Sequence, residues 1–267
     1  MKRRQAALIG CLLFGAVFVV STVFTIGSFM NKRQADESFQ SLRDQVSLET
    51  GAPKQQTGQE ALPAPQRTPQ EVYGALKEEN SDFAGWISID GTAIDYPVMQ
   101  TPEDGSYYLK REFQKRRSLC GVPFADTACD LSSPDSNVIL YGHNMKDGTM
   151  FSALLGYESP DFFAQHPTIR FDTMTEFGVY QVAAVLKASA EVGEPTALNL
   201  SDCAQWKDGQ AFQDFLNQCS RQSLYPIEAD LQAGDHLLLL STCEYSRKDG
   251  RLIVIAKEIQ SSPTRTS

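Results

Sequence analysis

The sequence predicts a mostly β domain, a barrel or a sandwich, carried behind an N-terminal apolar segment and a polar linker. Two observations point there. Short apolar runs bounded by turn residues follow one another from Phe83 to the C-terminus: "FAGWISI", "AIDYPVM", "NVILYG", "TIRFDT", "GVYQVAAVLKA", "HLLLLST" and "RLIVIAKEI". Only two helical insertions interrupt them.

In chain order, "MKRR" precedes an apolar run from Ala6 to Met30 whose most polar members are Ser and Thr. At about 1.5 Å per residue the run reaches roughly 37 Å, enough to cross a hydrocarbon core of about 30 Å. A cleaved signal peptide has an apolar region of only about 7–15 residues and a small-residue cleavage site. "TIGSFMNKRQ" offers no Ala-x-Ala signal, so the expectation is a retained anchor over residues 6–30. Lys2, Arg3 and Arg4 place residues 1–5 in the cytoplasm, and the rest of the chain outside the cell, although Lys32 and Arg33 reduce the asymmetry.

Residues 31–70 are polar and contain "GAPKQQTGQEALPAPQRTPQ", the composition of a linker. Within them Phe39, Leu42 and Val46 share one side of a possible short helix. The folded domain is expected over residues 71–267. Its first helix is announced by "TPQEVYGALKEEN", with Thr68 as cap, Pro69 in the first turn, and Val72 and Leu76 at helical spacing. Of the two insertions, "DGTMFSALLGY" follows the "NVILYGH" strand. "WKDGQAFQDFLNQCSRQ" lies before the "HLLLL" strand and sets Phe212, Phe215 and Leu216 on one face.

A net charge of −9 argues against a nucleic-acid binder, which needs a basic face. Of six cysteines, Cys11 lies in the apolar run, leaving Cys120, Cys129, Cys203, Cys219 and Cys243. That set is odd, so at least one thiol lacks an intramolecular partner. Cys120 with Cys129, and Cys203 with Cys219, are equally compatible with bridges and with buried free thiols. With no CxxC pair and histidines that stand apart, no zinc site is expected.

The last two strands, joined by Glu244 to Gly250 with Asp249-Gly250 as a turn signal, read as a hairpin. Pairing them antiparallel brings Cys243 and Arg251 to the same rim. A cation favours the reactive thiolate, and a guanidinium donates hydrogen bonds to the oxyanion formed when a thiolate attacks a carbonyl. The hairpin alone equally admits a packed cysteine beside a solvated arginine. Arg247 competes with Arg251 but sits inside the loop. His143 follows a strand and a glycine, so it too belongs at a strand mouth, where it suits a proton donor to a leaving group. His166 precedes Pro167 in a turn, and His236 opens the strand at the end opposite Cys243.

Together "YGHNMKDGTMF", "LSTC" with an arginine eight residues on, and "GWISIDGTAIDYPVMQ" resemble the sortases, in particular class B; "YYL", "GVPFAD" and "HPTI" extend the likeness over about residues 70–260. The resemblance implies an eight-stranded β-barrel with N-terminal helices and a helix in the connection before the cysteine strand. It implies a membrane-anchored transpeptidase acting on sorting-signal-bearing surface proteins and cutting after a Thr. Cys243 would be the nucleophile, His143 the proton donor and acceptor, and Arg251 the group holding substrate and oxyanion. The acceptor would be an amine of a peptidoglycan precursor or of a pilin. Ser241, Thr242 and Tyr141 lie beside these residues as candidate groove residues, and neither metal nor cofactor is expected. A secreted cysteine peptidase or amidase would use the same three residues, whereas a non-catalytic membrane-anchored binding module would use none of them.

Overall fold

In the computed structural model, the structure describes residues 18–19, 21–22, 33–34, 36–47, 67–133, 135–191, 193–226, 231–246 and 249–263. The chain divides into two units, Met1–Leu42 and Arg43–Ser267. Most of the expected anchor, and Arg247, lie outside the described residues. Among the described residues no helix is long and apolar enough to cross a membrane. Residues 36–47 are helical, with Phe39, Leu42 and Val46 buried, so helix occupies part of the segment read as linker.

Helix α1 spans Pro69–Glu79. Thr68 and Glu71 form a reciprocal cap: the Glu71 amide donates to Thr68 Oγ1 at 3.3 Å, and the Thr68 amide donates to Glu71 Oε2 at 2.7 Å. Val72, Tyr73 and Leu76 form its buried face.

The strands are β1 (Phe83–Ser88), β2 (Asp95–Met99), β3 (Phe124–Ala125), β4 (Val138–Tyr141), β5 (Thr168–Thr173), β6 (Phe177–Ser189), β7 (Leu237–Cys243) and β8 (Gly250–Ser262). They close into a barrel in the order β1-β2-β3-β4-β7-β8-β6-β5. The β2–β3 and β4–β7 pairings are parallel and the others antiparallel. The strands read from the sequence are all present. The two-residue β3 is additional, and it was invisible because two residues carry no period.

The insertion after β4 departs from a single helix. It forms a 3-10 segment, Phe151–Glu158, and then helix α2, Pro160–Gln165, separated at Ser159. The second insertion forms helix α3, Gly209–Gln222, capped by Asp208 and burying Phe212, Phe215 and Cys219.

The core has two faces because side chains alternate along a strand. Ile139, Leu237, Leu239, Ile253 and Ile255 pack outward into a cluster with Phe212, Phe215 and Cys219 of α3 and with Leu200 and Cys203. The alternate residues Leu238, Leu240, Leu252 and Val254 are fully buried on the interior face. Strand β7 is therefore apolar on both faces, which explains the unbroken run of leucines.

Candidate active site

The outward face runs beyond the part that α3 covers. Continuing the alternation of Leu237 and Leu239 brings Ser241 and Cys243 to that face. Continuing Ile139 brings Tyr141 and His143, and continuing Ile255 and Ile253 brings Arg251. Strands β7 and β8 thus offer a cysteine and an arginine at one rim, and the segment just after β4 carries the histidine. Cys243 and Arg251 are direct cross-strand partners. Tyr141 pairs with Ser241 across the parallel β4–β7 seam, and His143 follows two residues beyond that last pair.

Past Tyr141 the chain stays against β7. The Gly142 amide donates to Ser241 O at 3.2 Å, and Thr242 Oγ1 donates to Gly142 O at 2.9 Å. Asn144 then donates from Nδ2 to Cys243 O at 2.9 Å. Gly142 has no room for a side chain, since a Cβ there would lie 2.5 Å from Phe151 Cγ. This close approach explains the glycine before His143.

His143 Nε2 lies 2.8 Å from the carbonyl oxygen of Leu109, in the 3-10 turn Tyr107–Lys110. A carbonyl only accepts, so Nε2 carries the proton in this contact and Nδ1 is the nitrogen left to exchange one. Arg251 donates from Nη1 to Gly250 O at 3.0 Å. Beyond Cys243, the buried Glu244 accepts from the Ser246 amide at 2.7 Å and from its hydroxyl at 2.6 Å. Lys187 Nζ lies 3.9 Å from Glu244 Oε1 and 2.7 Å from Glu158 Oε2. These contacts fix the first residues after the strand. Tyr245 stands 71% exposed, its hydroxyl donating to Asn144 O at 3.3 Å.

The three residues expected to line a groove separate. Ser241 is buried on the outward face. Tyr141 is also outward, and its hydroxyl donates to Asp126 Oδ2 at 2.8 Å. Ser201 donates to the same oxygen at 2.7 Å, which ties the connection before α3 to the barrel. Strand alternation turns Thr242 to the interior face, where it pairs with the fully buried Leu252. Sequence reasoning passed over Asn144 and Leu109. Asn144 was visible as the residue after His143, but Leu109 contributes only a backbone carbonyl, which has no side-chain signature.

Among the described residues there is no disulfide, and the five cysteines outside the apolar run are all thiols. Burial pushes the thiols of Cys129, Cys203 and Cys219 up to about 12, so they stay protonated and inert. Cys243 is only half-buried at the strand's open end.

Comparison with known proteins identifies the family. The Sortase domain family matches residues 87–259. Sortase B of Staphylococcus aureus is 32% identical over 192 residues, covering 71% of this chain and 75% of that protein. A Staphylococcus aureus sortase B–substrate complex superposes with a TM-score of 0.72 at 26% identity, covering 86% of this chain and 99% of the other. A sortase B complexed with triglycine gives the same TM-score, identity and coverage. The chain therefore belongs to the sortase family, and it is a class B cysteine transpeptidase.

Proposed function

We propose that the chain is a membrane-anchored transpeptidase that cleaves the C-terminal sorting signal of surface proteins after a Thr and passes the acyl group to an amine. The observation that carries this reading is the shared rim: Cys243 opposite Arg251, with His143 between Gly142 and Asn144, which hydrogen-bond to Ser241 and Cys243.

In this reading the Cys243 thiolate attacks the Thr carbonyl carbon, and Arg251 donates to the oxygen on which charge develops. The carbon–nitrogen bond breaks, and the leaving amine takes a proton from His143. The product is a thioester on Cys243. An incoming amine attacks it, gives its proton to His143 and releases the thiolate, so the cycle closes with no net change in the enzyme. The two relatives solved with a substrate and with triglycine support a peptide donor and an amine acceptor, such as a peptidoglycan precursor or a pilin. The apolar run from Ala6 to Met30 supports anchoring with an extracellular domain.

Incubation with a panel of Thr-containing sorting peptides, followed by intact mass measurement, tests this. An acyl adduct on Cys243 that hydroxylamine removes is the expected result. An adduct that survives in Cys243→Ala would overturn the assignment.

A further inference from the structure

We propose that Asn144 is a positioning residue for the acyl-transfer pair: its side-chain amide replaces the ladder bond missing between β4 and β7 and so keeps His143 in register with Cys243. The inference rests on the reading of Cys243 and His143 as that pair.

The parallel seam between the two strands pairs residue for residue from Val138–Leu238 to Tyr141–Ser241. It continues one step further through the Gly142 amide, which donates to Ser241 O. In a parallel ladder the next donor to β7 is the backbone amide two residues on, that of residue 144, directed at Cys243 O. The chain does not continue as a strand there. Asn144 forms an antiparallel bridge with Met150 instead, and the Phe151 amide takes up the carbonyl of His143 at 2.9 Å. The backbone thus turns away from β7 just where the histidine has to stay close to it. The Asn144 side chain supplies the missing bond, with Nδ2 2.9 Å from Cys243 O. A second strut runs the other way, from the exposed Tyr245 to Asn144 O.

Asparagine suits the position because its amide has the same donor as a backbone N–H on a short arm. Aspartate has the same shape but no donor, and it turns a carboxylate toward a carbonyl oxygen. His143 is held from its far side by the Leu109 carbonyl, so without Asn144 nothing described binds the chain at residues 143–144 to Cys243 except the Tyr245 hydroxyl, which reaches it from two residues further on.

The test uses the full chain in detergent and reads the rate at which iodoacetamide alkylates Cys243 at neutral pH, located by peptide mass mapping. This readout needs no identified peptide, so it stands apart from success or failure of the transpeptidation assay. Iodoacetamide reacts with the thiolate, so the alkylation rate reads where His143 stands relative to Cys243. Asn144→Asp and Asn144→Ala should therefore slow alkylation of Cys243 roughly tenfold, the scale of one lost hydrogen bond to a positioned group. In a His143→Ala background, already slow, the same substitutions should change the rate by less than about twofold, because the two act as one unit. Asn144→Ser, which keeps a donor, should recover part of the rate and separates loss of the bond from loss of the fold. Alkylation of Asn144→Asp at the wild-type rate would overturn the proposal, as would an undiminished effect in the His143→Ala background.

Discussion

Cys243 and Arg251 are direct partners across the antiparallel β7–β8 ladder, at its last pair before the loop. Their separation is set by strand geometry rather than by flexible side chains, so a thiol and a guanidinium share one solvent-facing rim over a packed core. This pair is the framework on which the site's chemistry rests.

Arg251→Ala should slow acylation of Cys243 by roughly a hundredfold or more, the cost of removing one donor to a developing oxyanion. Arg251→Lys keeps the charge without the planar fork and should recover little of it. Single-turnover acylation with a sorting peptide measures both, and an unchanged rate in Arg251→Ala would move the role to Arg247.

Thiol reactivity should be selective. Native protein treated with iodoacetamide should be modified at Cys243 and at the partly exposed Cys120, and spared at Cys129, Cys203 and Cys219. Burial acts on those three both by excluding the reagent and by raising the thiol pKa to about 12. Peptide mapping before and after unfolding gives the comparison; early labelling of the buried three would contradict the packed cluster around α3.

Gly142→Ala should reduce turnover and stability together. The added Cβ meets the Phe151 ring at 2.5 Å and must displace either the ring or the strand that carries His143. A destabilisation of about 1–3 kcal/mol is expected for such overpacking, with loss of most acyl transfer. Thermal melting and peptide turnover on the same sample check it.

Stability should depend on pH through His236, far from the chemistry. Burial opposes its charge, but Glu258 beside it, with Nδ1 to Oε2 at 3.2 Å, outweighs burial, and the Ser136 backbone and Glu176 add to the effect. The net shift is upward from 6.5. A raised folded-state value means the contribution is complete below the unfolded value and is lost as pH rises through the folded one. Melting temperature should therefore fall as pH rises above about 6.5, and His236→Gln should flatten that slope. An unaltered slope in the variant would show that other groups set it.

Much of this was legible in the sequence because strands carry a period and turns carry marked residues. The strand "TIRFDT" appears unchanged as Thr168–Thr173, and the Thr68 cap begins α1 as its pattern required. The hairpin register that joins Cys243 to Arg251 followed from antiparallel pairing about the Asp249-Gly250 turn. Contacts between residues distant in sequence were not legible. The Tyr141 hydroxyl is held by Asp126, fifteen residues away in sequence and in another strand connection. Thr242 sits beside Cys243 in sequence, yet the two-residue period of a strand turns it to the opposite face. The contact of His143 with Leu109 involves only backbone on one side, so no residue type could announce it.

The most direct test of the central claim pairs a Thr-containing sorting peptide with an amine acceptor and follows the products by mass spectrometry. The expected result is an acyl adduct on Cys243 that passes to the amine, with loss of both species in Cys243→Ala. Cleavage with water as the only acceptor, or transfer that persists without Cys243, would contradict it.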